Sequence, residues 1–423
     1  MLDIKLVREN PEAIKLGLRA KKDNTDIDKL LALDSERREA ISKVEKLKNK
    51  QNAASKEIAK AKRNGEDAST ILAEMKEISQ SVAKLATRRE ELDTELNNQL
   101  LHIPNPPHSS VPQGISEEDN PVVRVWSDKP SYDFELKDHV DIAEALGIYD
   151  FKRGAKLSGS GFILQRGQGA RLTRALISYC LDHHTLKHGF EEIGAPFVVR
   201  PEVMVGTCQL PKFKEDMYAL PDDNLYLIPT AEVPVTNIYR EEVLPEEVLP
   251  KKMCGYTPCF RREAGSHGKD TRGMKRVHQF DKVEMVKLVK PETSYQELES
   301  LTLQAEEILQ SLGLHYRVIE LCTGDLSFGA AKCYDIELWS PGAQAWLEVS
   351  SCSNFEDFQA RRANIKFKPA TGGKPQFVHT LNGSGVAMPR LIIALLETYQ
   401  QADGTVKIPE VLQPYMGGVG QLG

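Results

Sequence analysis

The chain has 423 residues, 55 basic against 61 acidic side chains for a formal charge of −6, and is 40% apolar and 27% charged, which is the balance of a folded protein with material for two or three domains. The longest aliphatic stretch near the end, 391–396, is far short of the about 18 apolar residues a membrane helix needs. The amino end, Met1-Leu2-Asp3-Ile4-Lys5, lacks the basic-then-apolar layout of a secretory signal, so a cytoplasmic protein with no membrane partner is expected.

From residue 27 to 101 there is one glycine, Gly65, no proline and no aromatic residue, a composition of two long helices. In the second, Ile71, Met75, Ile78, Val82, Leu85, Leu92 and Leu96 form a heptad seam with Arg89 at a skipped position. The first answers with Ile41, Val44, Leu47, Ala54, Ile58 and Ala61, plus a polar Gln51. Asn64-Gly65-Glu66-Asp67 supplies the reversal, and Ser69 is the expected cap of the second helix. The pair therefore reads as an antiparallel helical hairpin. A helix of about 35 residues is roughly 50 Å long, so this coiled-coil arm should project. Its outer half is basic. Lys43, Lys46, Lys48, Lys50, Lys56, Lys60, Lys62 and Arg63 stand against Glu45 and Glu57, an electrostatic grip suited to a phosphate backbone, although such runs are also common on solvated coiled-coil faces.

His102-Ile103-Pro104-Asn105-Pro106-Pro107-His108 and Pro112-Gln113-Gly114 break any helix and read as a linker. Beyond it, β-rich stretches at 225–228, 276–289 and 334–339 alternate with helical ones at 172–185, 295–312 and 390–399, the pattern of an α+β body. Seven cysteines occur, none at C-x-x-C spacing, so no disulfide framework is expected. Cys254 and Cys259 lack a second ligand pair, so no zinc is expected either.

Gly372-Gly373-Lys374-Pro375 is not a phosphate loop, because proline stands where Ser or Thr must reach a metal, and Gly383-Ser384-Gly385 lacks the third glycine of a dinucleotide fingerprint. More informative is a charged hairpin, 259–263, a loop 264–273, and 275–284. Arg261 and Glu263, two apart, share a strand face, as do Phe280 and Glu284. If the two faces coincide, one surface offers cation, anion and ring, although a strand pair laced with salt bridges would read the same.

These residues, with Gly206-Thr207-Cys208-Gln209-Leu210-Pro211, Thr230-Ala231-Glu232, Phe260-Arg261-Arg262-Glu263-Ala264-Gly265-Ser266, Asp270-Thr271-Arg272-Gly273, Arg276-Val277-His278-Gln279-Phe280, Glu348-Val349-Ser350-Ser351-Cys352-Ser353-Asn354 and Asn382-Gly383-Ser384-Gly385 with Arg390, resemble the class II aminoacyl-tRNA synthetases. Within them the chain resembles the seryl-tRNA synthetase family of bacterial type, over nearly its whole length. The resemblance implies an arm-bearing tRNA-binding domain at 1–110 and a catalytic domain at 111–423, built on a six-stranded antiparallel sheet flanked by helices. It also implies a homodimer formed through 189–196, with the arm reaching tRNA across the dimer.

The implied activity is ATP-dependent activation of L-serine and transfer to serine tRNA, and to selenocysteine tRNA as a further acceptor. By resemblance, Arg261 holds the α-phosphate and the serine carboxylate, Arg262 and Glu263 contact ATP with Glu263 on the adenine edge, and Phe280 stacks on the ring. Val277 contributes backbone contact, and Arg390 clamps the γ-phosphate at a helix amino end, where anions are favoured. Glu348 and Ser351, within an ATP-contacting Glu348-Val349-Ser350-Ser351, carry Mg²⁺, for which hard oxygens are apt. Being three apart on a strand, they need a bulge near Val349-Ser350 to face one way. Thr230, Ala231 and Glu232 bind serine at its ammonium end, Glu284 accepts from the hydroxyl, and Ser384 contributes a further hydrogen bond. Lys43, Lys46, Lys50, Lys56, Lys60 and Arg63 contact tRNA. His278 is assigned to structure. Cys208 departs from the family pattern, standing where glycine is common, and Gly161 stands where Ser-Arg-Phe is usual. Two rival readings are serine activation for a non-tRNA carrier, opposed by the arm, and a non-catalytic tRNA-binding paralogue, opposed by the presence of Arg261, Glu263, Glu284, Glu348 and Arg390.

Overall fold

The computed structural model describes residues 1–65, 67–264 and 272–423. Glu66 of the expected reversal, and Gly265, Ser266, Asp270 and Thr271 of the hairpin loop, lie outside the described residues. The described chain divides into two compact units, Met1–Pro104 and Asn105–Gly423.

In the first unit, α1 (Ile27–Asn64) starts where the Asp26 carboxylate accepts from Lys29 N at 3.0 Å and ends on Gly65, whose φ of 71° closes the last turn as only glycine does cheaply. It pairs with α2 (Ser69–Leu101). Every apolar seam position named above is buried or half-buried, and the skipped Arg89 is exposed. The polar seam residue Gln51 finds a partner across the pair, donating from Nε2 to Ser79 Oγ at 3.0 Å. The expected cap is corrected. Ser69 is the first helical residue, and the Asp67 carboxylate accepts from its N and Oγ at 2.9 and 2.8 Å, because a carboxylate two residues earlier reaches both donors at once.

The second unit places β1 (Val122–Trp126), α3 (Gln168–Leu186), β2 (Glu191–Glu192), α4 (Glu232–Thr236), β3 (Lys251–Phe260), β4 (Gln279–Val289), α5 (Ser294–Ser311), β5 (Tyr316–Glu320), β6 (Lys332–Ser340), β7 (Ala345–Asn354), β8 (His379–Ala387) and α6 (Met388–Tyr399). The sheet order is β1-β5-β6-β7-β8-β4-β3-β2. The six strands from β5 to β3 are antiparallel throughout. β1 adds an antiparallel edge, and the two-residue β2 runs parallel to β3 at the other. Buried Leu172 and Leu176 of α3, Leu298 and Leu309 of α5, and Leu391 and Leu395 of α6 join sheet residues such as Val283 and Ile336 in one core. The helical periodicity in the sequence thus marks the faces that cover the sheet. All seven cysteines are buried, and none is joined in a disulfide. Among the described residues no helix is long and apolar enough to cross a membrane.

Two irregularities shape the sheet centre. Between β6 and β7 the partner of Ile336 is Ser350 and that of Glu337 is Glu348, so Val349 is an extra residue. Between β4 and β8 the partners pass from Val283↔Val386 to Glu284↔Ser384, leaving Gly385 extra. The charged hairpin also differs from expectation. β3 ends at Phe260 and β4 begins at Gln279, so Arg261 and Glu263 lie beyond the strand and do not share a pleat face. Glu263 has a φ of 50°, which takes the chain out of extended geometry.

A buried carboxylate ties α6 to the segment entering β4. Glu397 accepts from His139 N at 3.0 Å, Gly342 N at 3.0 Å, the Ser340 hydroxyl, and His139 Nδ1 at 3.2 Å. This leaves His139 Nε2 to accept from Met274 N at 3.3 Å. Glu397→Ala strands four buried donors, so it should lower unfolding free energy by about 3 kcal/mol, read as a fall in the urea midpoint at constant m value. A loss below about 1 kcal/mol would mean water replaces the carboxylate.

Candidate active site

A cavity of about 680 Å³ is lined by residues of β4, β7 and β8 and by the segments beside them. Strand alternation brings Phe280, Lys282 and Glu284 of β4 to it together. Glu284 is almost wholly buried. Its Oε2 accepts from Thr230 Oγ1 at 3.4 Å and Ser384 Oγ at 3.5 Å, its Oε1 accepts from Asn382 Nδ2 at 3.2 Å, and Lys282 is its ion-pair partner. Glu232 opens α4, with its N donating to Thr230 Oγ1 at 3.2 Å, so Thr230 both caps this short helix and faces Glu284. Gln359 Nε2 donates to Glu232 Oε1 at 2.7 Å, and Thr380 Oγ1 holds Gln359 Oε1 at 2.7 Å. Burial, then the neighbouring Glu284 charge, push Glu232 up to about 7, against the opposing pull of Gln359, Lys282 and Arg261.

Arg261 lies with its guanidinium carbon 5.1 Å from the Phe280 ring centroid. Its backbone is clamped by His278, whose carbonyl accepts from Arg261 N at 2.9 Å and whose Nδ1 donates to Arg261 O at 3.0 Å. His278 N in turn donates to Gly161 O at 3.0 Å. A Cβ on Gly161, at φ 80°, would come 2.6 Å from the His278 ring, so glycine is what lets this segment approach. Glu263 faces Arg276 at 3.4 Å. Arg390, in the first turn of α6, donates from NH1 to the Glu348 carbonyl at 2.7 Å and lies 3.4 Å from its carboxylate.

The extra residue Val349 has the consequence that strand geometry demanded, since Glu348 and Ser351 both line the cavity. Ser351 Oγ is 3.1 Å from Cys333 Sγ, which also donates to Asp335 at 3.5 Å. Burial, then Glu348, push Asp335 up to about 8. Val277 and Val349 line the cavity too. Three expected contact residues do not. Ala231 is fully buried in a core with Val235 and Met253. Arg262 is exposed, its N donating to Asp216 O at 3.0 Å. Ser350 is buried and its Oγ donates to Ser384 O at 2.6 Å, bridging β7 to β8 just beyond the last residue pair of their ladder, Cys352↔Gly383.

Sequence reasoning missed four participants. Lys282 was legible from the alternation that joined Phe280 to Glu284, and Asn382 and Arg276 stood inside recognised motifs. Gln359 carries no local signal, because a helix outside any motif delivers it. Cys208 is buried with a φ of 74°, a conformation at home with glycine, which fits the family's usual residue there. In the other unit, Lys43, Lys46, Lys50, Lys56, Lys60 and Arg63 are all exposed on α1. Of these six, Lys43 alone has an ion-pair partner among the described residues, Glu39 at 3.5 Å.

An antiparallel sheet whose cavity combines arginines, an aromatic platform and buried carboxylates defines, with the match of residues 213–399 to the tRNA synthetase class II core domain (G, H, P, S and T), a class II aminoacyl-tRNA synthetase. Residues 1–107 match the seryl-tRNA synthetase N-terminal domain. The chain is 54% identical over 422 residues to the serine–tRNA ligase of Syntrophobacter fumaroxidans, covering all of both chains. It is 55% identical over 419 residues to that of Moorella thermoacetica, covering 99% of this chain and 98% of the relative. The crystal structure of seryl-tRNA synthetase from Pyrococcus horikoshii complexed with ATP superimposes with a TM-score of 0.94 at 40% identity, over 100% of this chain and 99% of that one. The chain belongs to the seryl-tRNA synthetase family.

Proposed function

We propose that this chain activates L-serine with ATP to seryl-adenylate, releasing pyrophosphate, and then transfers serine to the 3′ end of serine tRNA, accepting selenocysteine tRNA as well. The observation that carries the serine step is the buried Glu232–Glu284 pair, with the Thr230 and Ser384 hydroxyls, in the same cavity as Arg261, Phe280 and Arg390. In the first step the serine carboxylate attacks the α-phosphorus in line, and charge spreads over the phosphoryl oxygens. Arg261 lies between the two anions it must bring together, and Phe280 stacks the adenine with Glu263 accepting from its edge. Arg390 takes the γ-phosphate, where α6 turns its amino end toward the cavity.

At the amino-acid end, Thr230 and Glu232 hold the ammonium, and Glu284 accepts from the hydroxyl with Ser384 beside it. A pocket so lined rejects alanine, because alanine leaves these buried groups without a partner. Glu348 and Ser351 suit magnesium. The bulge turns two hard oxygen ligands to one side, and the Glu348 charge, which after burial raises Asp335, is what a dication discharges. When bound, magnesium supplies charge neutralisation for the phosphates. In the second step the terminal ribose hydroxyl of tRNA attacks the adenylate carbonyl, and AMP leaves.

We assign 1–110 to tRNA binding and 111–423 to catalysis, in a cytoplasmic homodimer whose arm grips tRNA across the two subunits. The short edge strand β2, with exposed Leu186, Phe197 and Val198 beside it in sequence, supports pairing of two copies there. Serine-dependent exchange of pyrophosphate into ATP with magnesium, followed by charging of tRNA, tests the reading. Exchange with serine and not with alanine is expected, and exchange with no amino acid would overturn it.

The Glu232 carboxyl sets a pH signature. Its ionised form receives the serine ammonium and its neutral form does not, so serine affinity should be flat above pH ~7 and fall about tenfold per unit below. Titration calorimetry of serine in two buffers of different ionisation enthalpy should show proton release near neutrality. Glu232→Gln should bind serine weakly with no such slope, and an unchanged slope would remove Glu232 from the ammonium site.

A further inference from the structure

Outside the cavity, two imidazoles and a carboxylate converge where the end of α3 meets α5. His183 lies in the last turn of α3, His188 in the turn that follows, and Glu307 on α5. His183 Nε2 is 3.4 Å and His188 Nε2 2.8 Å from the same Glu307 oxygen, Oε2, and the three ligand atoms lie within 4.8 Å of one another. Neither step of the proposed reaction uses them. One carboxylate oxygen can accept from two imidazole N–H groups, and the same three atoms, with those protons removed, make a coordination set. In a tetrahedral site with bonds of about 2.0–2.1 Å, ligand atoms stand about 3.3–3.4 Å apart.

A third imidazole supports the arrangement from behind. His184 Nδ1 is 3.1 Å from His188 Nδ1, so one proton serves both nitrogens. With that proton on His188, its Nε2 lone pair faces Glu307, and His184 plays the outer part that commonly orients a ligating imidazole. His184 cannot swing away, because it is fully buried against Gly385, where a Cβ would come 2.6 Å from Nε2. The His183 and His188 side chains are almost wholly buried, whereas that of Glu307 is 50% exposed, so the site has both a rigid floor and an opening to water.

We propose that His183, His188 and Glu307 form a binding site for a divalent transition-metal ion, with a fourth position open to water, separate from the magnesium ligands. Two imidazoles and one carboxylate suit zinc or cobalt and not magnesium or calcium. The ion would fasten the end of α3 to α5.

The test uses the full chain, freed of metal by chelator and titrated at neutral pH with Zn²⁺ against a chromophoric competitor, and with Co²⁺ alone by absorption. One equivalent per chain is expected, with cobalt d–d bands and no thiolate charge-transfer band, and with a Zn²⁺-dependent rise in melting temperature. His188→Ala and Glu307→Gln should each weaken Zn²⁺ at least tenfold and remove the melting shift, while magnesium-dependent serine activation stays within twofold. Metal-free melting of Glu307→Gln, a near-isosteric change on a half-exposed side chain, reports whether the variant folds. Absence of stoichiometric binding, equal binding by wild type and both variants, or a thiolate band would overturn the proposal.

Discussion

Arg261→Lys should lower the rate of serine-dependent pyrophosphate exchange about 10³-fold, and Arg261→Ala at least as far. The guanidinium is a flat fork that can meet the α-phosphate and the serine carboxylate together, whereas an ammonium is a point charge that serves one of them. It lies 5.1 Å from the Phe280 ring centroid, and His278 hydrogen-bonds both sides of its backbone, so orientation costs little when the substrates arrive. Loss of one aimed donor to a developing oxyanion typically costs about 10²–10³, and Arg261 is assigned two such anions. The effect should fall mainly on kcat, with ATP affinity preserved by Phe280 and Arg390. A loss under tenfold for Arg261→Lys would mean that this side chain holds only one substrate and that the transition-state charge is borne elsewhere.

Replacing Lys43, Lys46, Lys50, Lys56, Lys60 and Arg63 together by glutamine should raise the KM for tRNA by about 10²–10³ while leaving pyrophosphate exchange unchanged. All six are exposed on one helix, and apart from Lys43 none has an ion-pair partner among the described residues, so their charge is free for phosphates. For every phosphate left without its cation, the dependence of log affinity on log salt should also flatten by about 0.7–0.9. The two readouts separate the causes, because an unfolded variant would lose exchange as well. Charging at wild-type KM with an unchanged salt slope would reduce the basic face to a solvated coiled-coil surface.

What could be read ahead of the fold shares a physical basis. The helical hairpin was legible position by position because the seam repeats every three or four residues, and each apolar residue in it, from Ile41 to Ala61 and from Ile71 to Leu96, is buried or half-buried against the other helix. The facing of Phe280 and Glu284 was legible because β4 alternates without interruption. The need for a bulge between Glu348 and Ser351 was legible too, since an odd separation on a pleated strand cannot put two side chains on one side. Local steric rules act within a few residues and leave their mark in spacing.

Elsewhere the outcome depended on partners distant in the chain. Where β3 stops, and hence that Arg261 and Glu263 reach the cavity from beyond a strand, is decided by pairing with β4 and by a Glu263 φ of 50°. That Ser350 turns away from the cavity while Asn382 turns toward Glu284 follows from register across the sheet, and Arg262, beyond the end of β3, is drawn aside where its N donates to Asp216 O. Gln359 beside Glu232, and the meeting of His183 and His188 with Glu307, join residues more than a hundred positions apart. The helical arm, the mixed body and the order of the motifs could be read from residue order, because periodicity and motif chemistry are written within short windows. Which polar side chains share a buried volume could be read only from the folded chain, because burial and the pKa shifts it produces belong to the packing and to no segment of it.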